Sequence, residues 1–243
     1  ALANRRVWVI YSGTASLLAV NWLTYIWGVN AGYIIETSLG YFINPLVNVL
    51  LGVLFLRERL RPGQFLALSL AVGGVAYLTF SYGSFPWIAI TLALTFGFYG
   101  LLRKMGPLDG SEGLALETAV YFIPAALFLL FLNANGSGSF ANSDPHTTVL
   151  LAGTGIVTGI PLILFGMAAQ RITMTNLGLL QYIAPTLQFM LGVFIYHEPF
   201  VREQLVGLGF IWLSLLVYTL EGLSHSRGKD KPAVKGEAPV PVE

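Results

Sequence analysis

Long apolar blocks joined by short polar links make up most of the chain. Eight of these blocks are about 18 to 24 residues long, the length that a helix needs to cross a hydrocarbon core of about 30 Å. The links contain Gly, Pro, Asn and charged residues, which favour turns and helix ends. The pattern therefore predicts an all-α fold, a polytopic membrane helix bundle with eight transmembrane helices. The predicted spans are 7–29, 35–56, 63–82, 86–103, 113–132, 148–170, 176–196 and 203–221.

The second apolar block has a copy in the seventh. A shift of 140 positions aligns the chain with itself, without a gap, from Asn21 to Leu78. Spans two and seven are five spans apart, an odd number, so the copy must cross the membrane in the opposite direction. Inverted repeats are typical of secondary transporters, whose binding sites lie near the midplane between the repeats. The identical pairs include Pro45 and Pro185, Gly52 and Gly192, and Glu58 and Glu198.

Composition agrees with this pattern and excludes several classes of protein. The chain is 55% hydrophobic and 10% charged, whereas soluble domains carry about 25% charged residues. The net charge of +1 is too small to indicate a nucleic-acid partner. Cysteine is absent, which excludes disulfides and thiolate ligands. The three histidines stand far apart, so we expect no metal site and no cofactor.

The basic residues predict the orientation of the bundle. Twelve of the thirteen lysines and arginines fall on one side of an eight-span zigzag, and the other side holds only Arg202. The positive-inside rule makes the basic side cytoplasmic. We therefore expect both ends of the chain in the cytoplasm, with a disordered tail at 223–243. The twelve residues are Arg5, Arg6, Arg57, Arg59, Arg61, Arg103, Lys104, Arg171, Arg227, Lys229, Lys231 and Lys235.

The repeat also predicts a division of the chain. Residues 1–84 form a first, incomplete repeat and residues 85–222 a second repeat of five helices. Spans four and five have no counterpart in the first half, because their equivalents would precede Ala1. We therefore expect a protein of ten helices in two inverted repeats of five, of which this chain holds the last eight.

Several motifs support this organisation. They are NWLTYIWGVN (21–30), SLGYFINPLVNVLLGVLFLRER (38–59), FYGLLRK (98–104), Glu117-Thr118 and QYIAPTLQF (181–189). In these motifs the chain resembles the EamA-type drug/metabolite transporter superfamily, and specifically its RarD subfamily, up to about Glu221. The resemblance implies two inverted five-helix repeats in the bacterial inner membrane and permease activity. It also implies a historical association with chloramphenicol sensitivity, which is a phenotype and names no substrate.

Polar stripes in spans two and seven are the first candidates for a substrate site. At 100° per residue, Tyr41, Asn44 and Asn48 lie within about 60° of one another on a helix. The central prolines each free a carbonyl four residues back. A cavity lined by these groups would suit a polar or amphipathic solute; the alternative is that the amides only join helices and the prolines only bend them. Span seven supplies Gln181, Tyr182, Pro185 and Gln188.

The remaining candidates are aromatic, acidic or structural. Asn21, Trp22 and Tyr25 share span one, where the aromatic rings either line a pocket or face lipid; Tyr121 is a weaker candidate in span five. Gly52 and Gly192 are expected to allow close helix packing near the two prolines.

Glu117 lies about one and a half turns inside span five. It either couples transport to protons or pairs with Arg103, Lys104 or Arg171. Glu36 sits at a span end and is expected at the membrane interface.

The sequence contains no HExxH, GxSxG or Walker-type motif. We therefore expect a permease rather than an enzyme, with a small-molecule substrate, the lipid bilayer and possible proton coupling as partners. A membrane-embedded enzyme would need convergent acidic groups or histidines, and only Glu117 qualifies. A structural or assembly protein of the membrane is the other alternative, although it would not need duplicated central prolines. The substrate, the direction of transport and the oligomeric state are left open.

Overall fold

The structure is a computed structural model that describes residues 4–138, 144–195 and 202–229. This part of the chain is helical, with no strand. Seven of its helices are long and apolar enough to cross a membrane. The fold is therefore the all-α, polytopic bundle that the apolar blocks predict. The helices are α1 (Arg5–Asn30), α2 (Ile34–Leu56), α3 (Pro62–Tyr82), α4 (Trp87–Met105), α5 (Gly110–Ala134), α6 (Pro145–Arg171), α7 (Met174–Gln181), α8 (Ile183–Phe194) and α9 (Arg202–Lys229).

The helix ends follow local chemistry in the polar links. Asp109, Asp144 and Thr173 each accept a hydrogen bond from a backbone N–H in the first turn of the following helix, at α5, α6 and α7. Such caps satisfy donors that a helix start leaves unpaired. Gly83 ends α3 with a φ of 77°, which costs a glycine little. The observed bounds stay within a few residues of the predicted spans, except that α9 continues to Lys229, eight residues past the predicted end and into the stretch expected to be a disordered tail.

The seventh predicted span, 176–196, is a broken helix. It consists of α7 and α8, which are separated at Tyr182. Pro185 has no N–H to bond the carbonyl of Gln181, so the helical ladder is interrupted just ahead of the proline. At the break, the N–H of Tyr182 donates to the carbonyl of Leu179, only three residues back. In contrast, α2 stays helical through Pro45. The two equivalent prolines therefore act differently, and only the second interrupts its helix.

Three helix pairs with extensive contacts organise much of the bundle. Helix α3 packs along α9, and α2 packs on α4 and α7. A β-carbon at Gly74 of α3 would stand 2.7 Å from the carbonyl oxygen of Gly207 of α9, so this pair approaches at backbone distance. Ser214 of α9 donates a buried hydrogen bond to the carbonyl of Ala67 of α3 at 2.6 Å. Small residues therefore allow the close packing that is common between membrane helices.

The outer surface of the bundle is apolar. Phe80 and Val157 are 84% and 74% exposed, and most exposed positions of α5 and α6 are apolar. In water such a surface would be costly, whereas lipid tails solvate it. The exposed residues of α5 and α6 therefore form the lipid-facing surface expected of membrane spans.

Candidate functional site

Helices α2 and α7 cross in close contact. A β-carbon at Gly178 would stand 2.6 Å from the carbonyl oxygen of Pro45 and 3.2 Å from the β-carbon of Asn48. Only a residue without a side chain fits there. The contact places the end of α7 directly beside the polar stripe of α2.

A cluster of three amides lies at this crossing. The side chain of Gln181 accepts a hydrogen bond from the amide of Asn44 at 3.2 Å and another from the amide of Asn48. Among the described residues, the Oδ1 atoms of Asn44 and Asn48 have no hydrogen-bond partner. Residues from spans two and seven are therefore joined at the proline positions, and two buried amide oxygens of the cluster lack a donor.

A cavity of about 380 Å³ opens beside the amide cluster. Pockets for small molecules usually measure about 300 to 1,000 Å³. Its walls come from α1, α2, α4, α6, α7 and α8. Six of the residues that the sequence nominates line it: Asn21, Trp22, Tyr25, Tyr41, Asn44 and Gln181. The other lining residues are Gly40, Leu92, Phe96, Pro161, Leu162, Phe165 and Ala184.

Many of the lining residues are related to one another by the 140-residue repeat. Five lining residues of the first copy, each advanced by 140 positions, give five lining residues of the second copy. The two sets of lining residues differ in chemistry, because the first copy supplies most of the polar groups and the second mainly apolar ones. The five pairs are Asn21 with Pro161, Trp22 with Leu162, Tyr25 with Phe165, Tyr41 with Gln181, and Asn44 with Ala184.

Aromatic rings make up much of the wall. The rings of Trp22 and Tyr25 meet edge to face at 6.3 Å between centroids, and those of Tyr25 and Tyr41 do so at 6.0 Å. Across the cavity, Phe96 and Phe165 stand 4.9 Å apart. Edge-to-face pairs are the favoured aromatic geometry. No Asp, Glu, Lys, Arg or His is among the thirteen lining residues.

Sequence reasoning missed the phenylalanines of α4 and α6. Their apolar side chains do not stand out in an apolar span. One signal was available, because Pro161 lies inside α6 at the position equivalent to Asn21. The repeat extends to that helix, so the candidates in span one could have been copied onto it.

Several nominated residues lie away from the cavity. Asn48 is fully buried against Gln181 and α4, and Tyr182 is fully buried in a core cluster with α3 and α9. Tyr121 donates a hydrogen bond to Ser16 at 3.1 Å, on an exposed face. Gln188 and Gly192 lie in α8, but their side-chain positions fall outside the described residues. Pro45 and Pro185 are buried at the crossing and in the first turns of α8.

Glu117 pairs with Arg103 in the core rather than lining the cavity. One carboxylate oxygen of Glu117 stands 3.6 Å from Nη1 of Arg103, with side-chain exposures of 2% and 0%. Nη2 of Arg103 donates to the carbonyl of Gly110 at 2.7 Å. The hydroxyl of Tyr99 donates to the other oxygen of Glu117 at 3.4 Å. The ring of Tyr99 also stacks on Phe165 at 5.9 Å, so two aromatic rings separate the ion pair from the cavity.

Two further carboxylates bond the start of a neighbouring helix. Glu36 is buried: it accepts hydrogen bonds from the N–H of Ile88 at 2.6 Å and from the hydroxyl of Tyr82 at 2.9 Å. The carboxylate supplies the acceptor that the first turn of α4 needs, and the expected position at the membrane interface stays a prediction. Glu58 bonds the start of α7 in the same way. Gly52 makes room for it, since a β-carbon there would lie 2.8 Å from the Glu58 carboxylate.

The described residues hold no group of three or more His, Asp or Glu side chains placed to bind a metal ion. What the cavity offers is hydrogen bonding by amides and contact with aromatic rings. These interactions bind and orient a solute, and they do not by themselves make or break its bonds.

Comparison with known proteins gives a consistent result. The EamA-like transporter family matches residues 2–80 and 85–220. A protein RarD of Streptomyces exfoliatus is 44% identical over 98% of this chain and 76% of its own length. An uncharacterized transporter of Pseudomonas aeruginosa is 41% identical over 94% of this chain and 77% of its own length. Protein RarD of Escherichia coli is 42% identical over 90% and 74%.

A solved structure shares the fold. A protein crystal structure superposes with a TM-score of 0.65 at 20% identity, covering 89% of this chain and 77% of that chain. At this identity the likeness concerns the arrangement of helices alone.

Proposed function

The chain belongs to the EamA-like transporter family, within its RarD group, and from that premise we propose that it is a secondary transporter working by alternating access. The family and the apolar helices make it a multi-pass bacterial membrane protein and a transporter. The proposed cargo is a small metabolite or an amphipathic, drug-like solute. The proposed binding site is the cavity beside the amide cluster.

One observation carries this proposal: equivalent positions of the two copies line the same cavity. Five pairs of residues related by the 140-residue shift meet around it. In secondary transporters the site lies at the interface of the repeats, and the repeats move around it. A structural membrane protein would have no need for such a matched lining.

The division into repeats supports the same mechanism. We place the first repeat at 1–84 and the second at 85–222, and the two stretches matched by the family support that boundary. Helix α2 then belongs to the first repeat and the broken helix α7–α8 to the second. Their crossing at Pro45 and Gly178 is the contact around which the repeats would rock.

Contacts between the repeats hold one end of the bundle closed. Glu58, in the link after α2, bonds the start of α7. Opening of the cavity at this end would separate the link from α7 and break these bonds. In alternating access, the solute must stabilise the open or closed arrangement differentially.

Reconstitution in proteoliposomes tests transport. Flux of a panel of amino acids, metabolites and amphipathic drugs is measured for the full ten-helix protein and for its Gly178→Val variant, which removes the close crossing of α2 and α7. Gly153→Val is the matched control, because no atom lies within 4 Å of a β-carbon there. We expect flux in the wild type and the control, and its loss in Gly178→Val. Absence of flux for every solute would contradict the proposal.

Proton coupling is proposed to act through Glu117. Its carboxylate is buried beside Arg103 and reaches the cavity wall only through Tyr99 and Phe165. Glu117→Gln is expected to abolish the pH dependence of transport, and Glu112→Gln, in the exposed first turn of α5, to preserve it. An unchanged pH profile in Glu117→Gln would end this part of the proposal.

We propose that the C-terminus is cytoplasmic. The basic residues at the links after α2, α4 and α6 support this orientation. Reporter fusions after Tyr82 and after Ser139 are expected to report the external side. A cytoplasmic signal from either fusion would show that the orientation is the reverse of the one proposed or that the number of spans differs.

A further inference from the structure

We infer that the cavity selects a solute without net charge that carries a hydrogen-bond donor beside an aromatic ring, and that it rejects charged isosteres. This inference rests on the proposed function, because it names the chemical class of the cargo. It follows from three features of the lining: the absence of charge, the unpaired amide oxygen and the unequal polarity of the two repeats.

The lining offers no counter-charge. None of its thirteen residues is acidic, basic or histidine. The buried charges of Arg103 and Glu117 are paired with each other behind Tyr99 and Phe165. An ion that moves from water into an apolar site without a partner loses more hydration free energy than its contacts in the site return. The cavity therefore discriminates against net charge.

The aromatic wall does not form a cage for a cation. Cation binding needs a ring face within about 6 Å of the charge. Trp22, Tyr25 and Tyr41 pack edge to face, at interplanar angles of 82° and 80°. In each of these pairs the edge of one ring covers a face of its neighbour. Such a wall suits the edge or face of an aromatic solute better than a cation.

One acceptor in the lining lacks a donor. Asn44 is 8% exposed, and its Oδ1 has no partner among the described residues. Its amide donates to Gln181, whose Oε1 also accepts from Asn48. A buried acceptor without a donor is costly, so an N–H or O–H of a solute is favoured at this point. A carboxylate group presents only acceptors and would be repelled there.

The two repeats give the cavity a polar and an apolar wall. Asn21 and Asn44 of the first copy correspond to Pro161 and Ala184 of the second. Phe165 likewise corresponds to Tyr25, without the hydroxyl. The donor of the solute is therefore expected at α2 and its ring at α6.

Three isosteres separate the effects of charge and hydrogen bonding. Benzamide is neutral with a donor and an acceptor, benzoate is an anion without a donor, and benzamidinium is a cation with donors only. Equilibrium binding to the chain in nanodiscs at pH 8 is measured by competition against radiolabelled benzamide. We expect benzamide to bind and each charged isostere to bind at least about tenfold more weakly, a difference of about 1.4 kcal/mol. Equal or tighter binding of either ion, or no binding of benzamide, would overturn the inference.

A charge placed in the lining provides the second test. Asn44→Asp keeps the shape of the side chain and introduces an anion, so we expect benzamidinium to gain at least about tenfold relative to benzamide. Asn30→Asp, at the exposed end of α1, is the matched control and should leave the order unchanged. An unchanged order in Asn44→Asp would contradict binding at this cavity. Selective binding without flux would refute the transport proposal alone, and flux that favours an ion would refute only the inference.

Discussion

Glu58→Ala is expected to release the start of α7 from the link after α2. The carboxylate of Glu58 accepts hydrogen bonds from the N–H of Met174 at 2.7 Å, the N–H of Thr175 at 2.9 Å and the hydroxyl of Thr175 at 2.8 Å. Met174 is fully buried and Thr175 is 3% exposed, so water does not readily replace the lost acceptor. The substitution leaves two backbone donors unpaired.

The size of the effect follows from these bonds. A hydrogen bond to a charged group contributes about 1.5 to 3 kcal/mol, and a buried donor left unpaired costs about 1 to 3 kcal/mol. These terms overlap, and Glu58 is only half-buried, so we expect a loss of about 2 to 4 kcal/mol for Glu58→Ala. Thr175→Val removes one hydroxyl and should cost about 1 kcal/mol. Glu58→Gln, which retains one amide acceptor, should fall between them.

Hydrogen exchange at the α7 amides measures this loss directly. If Glu58→Ala lowers the free energy of local opening by about 2 to 4 kcal/mol, exchange of the Met174 and Thr175 amides accelerates by about 30- to 900-fold. Glu112→Ala is the control, because Glu112 is an exposed acid in the first turn of α5. Unchanged exchange in Glu58→Ala would refute the argument that the carboxylate holds α7.

Three other predictions concern packing and caps. Gly178→Ala brings a β-carbon to 2.6 Å from the carbonyl of Pro45 and should cost about 1 to 3 kcal/mol of unfolding free energy in mixed micelles; a neutral result would contradict the close crossing. In Gly113→Ala the new methyl group would occupy the position of the Arg103 guanidinium and separate the buried ion pair, so the unfolding free energy should fall by about 3 to 5 kcal/mol. Retention of full stability would argue against the pair. Backbone N–H of Glu112 and the hydroxyl of Ser111 hold the pKa of Asp109 below its ordinary 3.8. This cap therefore stabilises α5 above that pH and is lost as pH falls through the lowered pKa, so exchange in the first turn of α5 should rise at acid pH in the wild type but not in Asp109→Asn.

The positions of the spans could be read from the chain because the membrane leaves few choices. A backbone in hydrocarbon must bond within its own helix, and the thickness of the bilayer then sets the length of each apolar block. Both Pro45 and Pro185 lack a donor, so the sequence predicts a freed carbonyl in each span. It does not decide that α2 stays continuous while the seventh span breaks, because a continuous and a broken helix are both compatible with one proline.

The candidate site was only partly predictable. Asn44 and Asn48 share a helical stripe, yet Asn44 lines the cavity while Asn48 is fully buried. Gln181 and Tyr182 are neighbours, but one faces the cavity and the other the core beside α3 and α9. Periodicity identifies a face of a helix, and packing decides which part of that face remains open.

The sequence alone identifies an all-α membrane bundle with a 140-residue internal repeat, because span length and the repeated residues can be read directly from the chain. The tertiary structure decided which partners those residues have. It joined Glu117 to Arg103, Glu58 to α7, and Asn44 to Gln181. In an apolar chain almost every face of a span is hydrophobic, so pattern alone does not distinguish a lipid-facing side chain from one that faces another helix. Helix crossings at glycines such as Gly178 make that distinction, since they set which side chains come within bonding distance.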